Sequence, residues 1–295
     1  MMKPILELRN INKSYKTHHV LKDVSFEISP GEIVGFIGSN GAGKSTTMKA
    51  ICNLIQIDSG EIVVNGHAMA EDALVCLKDM SCLIEAPGLY PDLSGRQNIK
   101  FFASLRNVSK ENVEEVLRHT NLGHHLDRKV RTYSTGMRQK IGLSIALLSN
   151  PKLIILDEPM SGLDVDAVME LRKTVETIRQ QFGTAILLSS HQLGEVEKMA
   201  DRYIFIKDGE IVPDISVAQS KKTSIFFQDT TQLPDDLKRH PFYCDGLSIS
   251  WTDESVNLND VLRTILGQGL VIETIETTQR ELEDIYRDVV GNHND

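Results

Sequence analysis

A glycine-rich segment near the amino terminus has the residue types and spacing of a phosphate-binding loop. It reads GSNGAGKS and matches G-x-x-x-x-G-K-[ST]. Glycines let backbone amides approach phosphate oxygens, a lysine neutralises the β- and γ-phosphates, and the following hydroxyl can coordinate Mg²⁺, while nearby threonines can reach the α-phosphate. We therefore predict an ATP and Mg²⁺ site that includes Ser39, Asn40, Gly41, Ala42, Gly43, Lys44, Ser45, Thr46 and Thr47.

Two adjacent carboxylates follow an apolar run later in the chain. Residues 153–156 read LIIL, the pattern of a buried strand, and Asp157 and Glu158 come next. Because open α/β sheets bind ligands at the carboxyl ends of their strands, Asp157 is predicted to meet Mg²⁺ directly or through water. Glu158 is predicted to polarise the water that attacks the γ-phosphate. Taken alone, such a pair could equally be ordinary surface charge at a strand end.

Hydrophobic periodicity predicts the elements that position these groups. Residues 5–28 predict an antiparallel β layer, and residues 33–37 predict a buried strand that runs into the glycine-rich loop. Residues 70–150 have a mostly helical pattern, with one helix starting near Gly136. From residue 153 to 206 strand and helix patterns alternate. The expected fold is α/β, a parallel sheet interrupted by a helical insertion.

The same patterns predict two domains. Residues 1–215 form the nucleotide-binding domain, with a helical subdomain at about 86–150. Residues 216–295 contain short β-like stretches followed by helices, which predicts a small accessory α+β domain.

Composition argues against several classes of protein. The formal net charge is -9, from 32 basic and 41 acidic residues, so nucleic acid is not an expected partner. The cysteines at positions 52, 76, 82 and 244 form no C-x-x-C pair, which fits reduced thiols in a cytoplasm. No apolar run approaches the ~20 residues of a membrane-spanning helix. We expect any membrane contact to be made through a protein partner.

Three further motifs occur in a characteristic order. YSTGMRQ spans residues 133–139, SGLD spans 161–164, and His191 follows the apolar run AILLSS. With the glycine-rich loop and LIILDE, they resemble the ATPases of ABC transporters over about residues 4–212. The usual signature, Leu-Ser-Gly-Gly-Gln, is incomplete here, because Thr135 replaces the first glycine and Met137 replaces the glutamine.

The resemblance implies a working unit of two such domains, identical or related, bound to a membrane permease at the cytoplasmic face of the cell membrane. Tyr15 would stack on adenine, and His191 would hold the attacking water with Glu158. Each ATP would also be contacted from the other subunit by Ser134, Thr135, Gly136, Met137 and Asp164.

One departure from the family pattern points to a subfamily. The position that normally holds a glutamine, which reaches Mg²⁺, holds Glu85 in the segment LIEAPGLY. This segment and the tail TTQRELEDIYRDVV resemble ATPases of lantibiotic self-protection and bacitracin-resistance exporters. The alternative is that Glu85 arose by neutral sequence drift in a generic drug or antibiotic exporter. For residues 216–295 the resemblance suggests a regulatory or dimer-supporting role.

Two rival functions come from other classes. An ABC ATPase acting on DNA or ribosomes typically carries a coiled-coil insertion, a tandem core or basic tracts, and none is visible in this sequence. An inactive nucleotide-sensing module would not need the intact set of Lys44, Asp157, Glu158 and His191, although the incomplete signature leaves this alternative open.

Overall fold

The computed structural model describes residues 3–85, 87–213, 221–227, 237, 242–244, 248–251, 256–279 and 281–291. The chain forms two compact units, Met1–Pro213 and Asp214–Asp295. The domain boundary predicted at residues 215 and 216 lies outside the described residues, as does Ala86 of the LIEAPGLY segment.

The helices and strands of the first unit follow one another along the chain. They are β1 (Leu6–Tyr15), β2 (His18–Ile28), β3 (Ile33–Ile37), α1 (Lys44–Ile51), β4 (Ser59–Val64), β5 (His67–Ala68), α2 (Met69–Lys78), β6 (Met80–Leu83), α3 (Gly95–Leu105), α4 (Lys110–His119), α5 (Thr135–Leu147), β7 (Leu153–Leu156), α6 (Val165–Phe182), β8 (Ala185–Ser189), α7 (Leu193–Glu197), β9 (Arg202–Lys207) and β10 (Glu210–Ile211). Short 3-10 turns lie at Gly123–Asp127 and Val130–Thr132.

A six-stranded sheet forms the centre of this unit, in the order β10-β9-β3-β8-β7-β6. The pairs from β9 across to β6 are all parallel. Every residue of β3, β7 and β8 is buried, as their continuous apolar sequences predict for strands covered on both faces. Parallel alignment brings the carboxyl ends of these three strands to one edge, where the loops carrying the candidate residues begin.

The predicted antiparallel layer is confirmed, with strand order β2-β1-β4-β5. Apolar residues that alternate along β1, such as Leu6 and Leu8, face inward. They share one buried core with Phe36 of β3 and Met48 of α1. The helix that follows the glycine-rich loop is therefore held by apolar contacts with both layers.

The structure differs from the sequence pattern in two places. β6, sequence MSCL, lies inside the region predicted as helical, because its ladder to β7 extends the central sheet by one edge strand. The apolar pattern predicts a helix over 192–200, but α7 ends at Glu197. Beyond it, Asp201 accepts a hydrogen bond from the backbone amide of Ile33 at the start of β3. Elsewhere the sequence pattern holds: Ser94 and Gln97 have the spacing that predicts a capping box, and the structure contains that capping box at the start of α3.

The second unit contains β11 (Lys221–Phe227), β12 (Tyr243–Cys244), β13 (Ser248–Trp251), α8 (Leu258–Gly267), β14 (Ile272–Gln279) and α9 (Leu282–Gly291). Its antiparallel sheet has the order β12-β13-β11-β14. Ile249 and Trp251 of β13 pack with Ile265 of α8 in a core of their own. Within the described ranges of the whole chain, no helix has both the length and the apolar character needed to cross a membrane.

Candidate functional site

The glycine-rich loop joins the end of β3 to the start of α1, and two of its glycines are required by close approach. A Cβ on Gly38 would lie 2.4 Å from the carbonyl oxygen of Ile206. Gly43 has φ +112, and a Cβ there would lie 2.8 Å from the side chain of Leu21. Only glycine satisfies both positions without displacing neighbouring atoms. The loop is therefore pressed against β2 and β9 while its other side, at Gly41, opens to solvent.

Lys44 is held at the centre of this loop. Its side chain is buried, and its ammonium donates hydrogen bonds to the carbonyl oxygens of Gly38, at 2.7 Å, and Ser39, at 3.1 Å. Burial lowers the pKa of Lys44, an effect that the nearby carboxylates of Glu158 and Asp157 oppose. A cation with so little hydration can bind an anion such as phosphate at a small desolvation cost.

The hydroxyl residues at the start of α1 lie in different surroundings. Ser45 is exposed and Thr46 is half-buried, so both are open to a ligand in the loop. Thr47 is fully buried, and its hydroxyl donates a 2.9 Å hydrogen bond to the carbonyl oxygen of Gly43. In this structure Thr47 secures the first turn of the helix.

Ser189 connects the two carboxylate residues. At the end of β8, its hydroxyl donates a 2.7 Å hydrogen bond to Oδ1 of Asp157 and accepts one of 2.9 Å from the backbone amide of Glu158. Asp157 is nearly buried at the end of β7, so this bond fixes its orientation. In the described part of the chain no donor bonds to Oδ2 of Asp157, which leaves this oxygen available to a cation.

Glu158 and His191 are in direct contact. Nδ1 of His191 lies 2.7 Å from Oε2 of Glu158. Glu158 also has a φ of +48, a left-handed conformation that is uncommon for a residue with a side chain and that occurs often at functional sites. The turn after β7 therefore directs this carboxylate toward the histidine that follows β8.

Glu85 follows β6 at the same edge of the sheet, and it forms an ion pair with Lys49 of α1. Their side-chain atoms lie 2.8 Å apart, and the Glu85 side chain is 73% exposed. The hydrogen bond from Lys49 holds the pKa of Glu85 below its usual range. Like Glu158, Glu85 has a positive φ, of +63. A cation that binds Glu85 would therefore compete with Lys49.

Tyr15, at the end of β1, has a half-exposed ring. The ammonium of Lys13 lies 5.3 Å from the centre of this ring, within the range of a cation–π interaction. The ring thus presents an aromatic surface to solvent.

The segment Ser134–Met137 forms the start of α5. The Ser134 side chain accepts a hydrogen bond from the amide of Met137, and Asp164 likewise caps α6 by accepting from the amide of Ala167. A Cβ on Gly136 would lie only 3.0 Å from Cβ of Ala167, so the two capped helix ends pack against each other. Among the described residues, no hydrogen bond or ion pair joins this segment to Lys44, Glu158 or His191.

The side chains near the loop fit Mg²⁺ only in combination with phosphate. In the described residues no group of three or more His, Cys, Asp or Glu side chains is arranged to hold a metal. The candidates Ser45, Asp157 and Glu85 offer hard oxygen ligands, and Mg²⁺ is usually bound by one or two carboxylates together with substrate phosphates and water. This donor set is therefore suitable for a metal that arrives with a nucleotide.

Sequence reasoning missed two residues of the site. Ser189 was not recognised as the link between Asp157 and Glu158, although a serine at the end of a buried strand, two residues before His191, was a visible signal. Lys49 could not be recognised, because its pairing with Glu85 depends on how α1 packs beside β6.

Comparisons with known proteins agree with this geometry. The family model described as ABC transporter matches residues 21–161. The bacitracin transport ATP-binding protein BcrA of Enterococcus faecalis is 30% identical over 99% of this chain and 98% of its own length. The lantibiotic transport ATP-binding protein SrtF of Streptococcus pyogenes is 38% identical over 70% of this chain and 89% of its own length.

A solved structure, a dimeric post-hydrolysis state of the ATP-binding cassette MJ0796 bound to ADP and Pi, is also similar to this chain. The TM-score is 0.63 and the sequence identity 25%, over 70% of this chain and 96% of that one.

Proposed function

Because this chain belongs to the ATP-binding subunits of ABC transporters, we propose that it hydrolyses ATP with Mg²⁺ to power export through a separate membrane permease. The observation that carries the proposal is the 2.7 Å contact between Glu158 and His191 at the same sheet edge as the Lys44 loop. We infer that the chain works at the cytoplasmic face of the membrane, attached through that permease, and that it has no nucleic-acid partner.

In the proposed mechanism, the loop amides and Lys44 bind the phosphates while the ring of Tyr15 stacks on adenine. Glu158 accepts a proton from the attacking water, and His191 holds that carboxylate in position by donating to it. Asp157, fixed by Ser189, would hold the metal through a carboxylate oxygen, together with Ser45 and Glu85. Bound Mg²⁺ would neutralise the negative charge on the β- and γ-phosphates.

The test of hydrolysis is Glu158→Gln. The amide keeps the shape of the side chain but removes its basicity, so ATP turnover should fall to background while ATP binding persists. The measurement is steady-state phosphate release beside equilibrium nucleotide binding. Turnover that survives the substitution would exclude Glu158 as the base, and absent turnover in the unmodified chain would favour the inactive sensing module.

We propose further that Ser134, Thr135, Gly136, Met137 and Asp164 contact ATP bound to a second copy or to a related subunit. Two observations support this: the segment is tied to α6 and not to the Lys44 loop, and the similar MJ0796 structure is described as dimeric. The free amides at the start of α5 can bind a γ-phosphate.

Complementation distinguishes a site shared between subunits from a site within one chain. Lys44→Ala and Ser134→Arg should each abolish turnover, and a mixture of the two should recover part of it. A mixed dimer has one intact site, built from Lys44 of one copy and Ser134 of the other. If the segment acted within its own chain, mixing would restore nothing.

For the exported cargo we propose a peptide antibiotic of the bacitracin or lantibiotic type. The support is the similarity to BcrA and SrtF, together with Glu85 in the IEAP segment. The experiment is growth inhibition by bacitracin and a panel of lantibiotics in a sensitive host that expresses this chain with its neighbouring permease genes. Protection that is lost with Glu158→Gln supports the proposal. Unchanged sensitivity despite a membrane-bound complex favours a generic drug exporter.

A further inference from the structure

The ring of Tyr15 lies at the tip of a hairpin, beyond the end of one of the two ladders that hold β1. Tyr15 pairs with His18, so the turn between β1 and β2 has only two residues. On its other side β1 pairs with β4, and the last pair of that ladder is Asn12 with Ser59. Residues 13–15 of β1 therefore extend beyond the ladder with β4.

The carboxylate of Asp58 continues the hydrogen bonding of this ladder past its last strand pair. Its Oδ2 atom accepts a 2.6 Å hydrogen bond from the backbone amide of Ser14. The backbone amide of Asp58 donates a 2.8 Å hydrogen bond to the carbonyl oxygen of Asn12. Because Asp58 immediately precedes β4, these two bonds hold the end of β1 beside the start of that strand.

The other oxygen of Asp58 fixes the ammonium of Lys13. Nζ of Lys13 donates a 3.1 Å hydrogen bond to Oδ1 of Asp58, and the Lys13 side chain is only 14% exposed. The hydrogen bonds from Lys13 and from the amide of Ser14 hold the pKa of Asp58 below its usual range, so its carboxylate is charged at neutral pH. A long side chain that is mostly buried and paired has lost most of its rotamer freedom. The ammonium therefore has a fixed position.

This ammonium lies over one face of the Tyr15 ring. The distance from Nζ of Lys13 to the ring centre is 5.3 Å, within the range of a cation–π interaction. The ring is 48% exposed, and the position of the ammonium leaves the opposite face for a base. Since a planar base stacks on the face of an aromatic ring, the orientation of this ring determines where adenine can lie.

We propose that Lys13 and Asp58 are positioning residues for the nucleobase. Asp58 fixes Lys13, and Lys13 holds the Tyr15 ring in the orientation that stacks on adenine, so neither residue needs to touch the nucleotide. The proposal rests on the proposed ATP-binding function. A ring that is ordered before binding loses less conformational entropy when the base arrives. The pair should therefore increase the affinity for the base and leave the affinity for the phosphates unchanged.

Two ligands separate an effect on the base from an effect on the fold. ATP carries adenine, whereas inorganic tripolyphosphate has three linked phosphates without a base. Lys13→Met keeps the apolar stem and removes the ammonium, and Asp58→Ala removes the carboxylate. In each full-length variant the Kd for ATP with Mg²⁺ should rise about two- to five-fold, the size of an exposed cation–π interaction, while the Kd for tripolyphosphate stays the same. Isothermal titration calorimetry measures both. Equal losses for the two ligands, or no loss for ATP, would overturn the proposal.

A Tyr15→Ala background tests whether Lys13 acts through the ring. The Kd for ATP in Tyr15→Ala with Lys13→Met should equal that of Tyr15→Ala alone. A further loss in the double variant would show that Lys13 acts elsewhere, and this result uses ATP only. An unchanged Kd in Tyr15→Ala itself would remove both the stacking role of the ring and the positioning role of the pair, without affecting the proposed hydrolysis by Glu158.

Glu61→Ala is the matched control for Asp58→Ala. Glu61 pairs with Arg9 at 2.6 Å, so it forms an ion pair between the same two strands, further along β1 from the ring. The two carboxylate side chains are similarly exposed, 46% for Glu61 and 43% for Asp58. Glu61→Ala should leave the Kd for ATP unchanged. A loss as large as that in Asp58→Ala would show that any ion pair between β1 and β4 has this effect, and it would contradict a specific role for Asp58.

Discussion

The hydroxyl of Ser189 donates a 2.7 Å hydrogen bond to Oδ1 of Asp157, and it also accepts one from the amide of Glu158. Ser189→Ala would leave both groups without this partner. We expect ATP turnover to fall about ten- to a hundred-fold, the range typical when a residue that orients a metal ligand is lost. The free energy of unfolding should fall by about 1–3 kcal/mol. Phosphate release and urea unfolding provide the two measurements.

Thr184→Val is the matched control for that substitution. Thr184 is buried just before β8, and its hydroxyl donates a 2.8 Å hydrogen bond to the carbonyl oxygen of Pro151, at the opposite end of the strand from Ser189. Its loss should reduce stability without reducing turnover per folded molecule. Equal turnover losses in the two variants would show that Ser189 acts only through general stability.

His191 and Glu158 should behave as one functional unit. His191→Ala removes the partner of the carboxylate, and we expect turnover to fall by about a hundred-fold or more, within the range of acid–base contributions. The double variant, His191→Ala with Glu158→Gln, should lose little more turnover than Glu158→Gln alone. Residues that act together have non-additive effects. The measurement is a double-mutant cycle on turnover, with the exposed His124→Ala as control. Additive losses would argue that the 2.7 Å contact has no catalytic role.

Because Lys49 and Glu85 form an ion pair, substituting one or the other should change the Mg²⁺ requirement of ATP turnover in opposite directions. Lys49→Met frees the carboxylate, so the Mg²⁺ concentration that half-saturates turnover should fall. Glu85→Gln removes the charge, so that concentration should rise. Magnesium titrations of ATPase activity give both values, and identical shifts in the two variants would remove Glu85 from the metal site.

The same pair predicts a pH dependence of stability. Lys49 lowers the pKa of Glu85 in the folded chain, so the pair stabilises the fold above the ordinary carboxyl pKa. This contribution is lost as pH falls through the lowered folded value. Thermal unfolding at acid and neutral pH should therefore differ less in Lys49→Met than in the unmodified chain. An unchanged acid sensitivity would mean that the ion pair does not form in solution.

Tyr15 should contribute to ATP affinity through its exposed ring. Base stacking on an aromatic side chain is worth about 1–3 kcal/mol, so Tyr15→Ala should raise the Kd for ATP about 5- to 150-fold. Tyr15→Phe should leave affinity nearly unchanged, and Tyr90→Ala, at another exposed tyrosine, is the control. Fluorescent-nucleotide titration measures all of them. Equal affinities in the alanine and phenylalanine variants would exclude stacking.

The second unit is expected to support dimer formation or regulation. It has its own sheet and core, so truncation after Pro213 should leave the first unit folded. We expect the truncated chain to show weaker ATP-dependent dimerisation by light scattering. Full dimerisation together with full coupled transport would contradict this role.

The sequence by itself determined the family and most of the central fold. The motif order from Gly38 to His191 predicted an ABC ATPase, and the comparisons confirm both this family and the α/β fold class. The continuous apolar runs of β3, β7 and β8 predicted strands covered on both faces, and all their residues are buried. These predictions succeeded because a phosphate loop and a buried strand are each encoded within a few neighbouring residues.

Only the tertiary structure decided which side chains pair across elements. Strand β6 was not visible in the sequence, because MSCL has a mixed pattern and becomes a strand only through its ladder to β7. The Ser189–Asp157 and Lys49–Glu85 pairs each join residues more than thirty positions apart. Local periodicity carries no information about such pairs, since they depend on the parallel alignment of strands and on the packing of α1 beside the sheet.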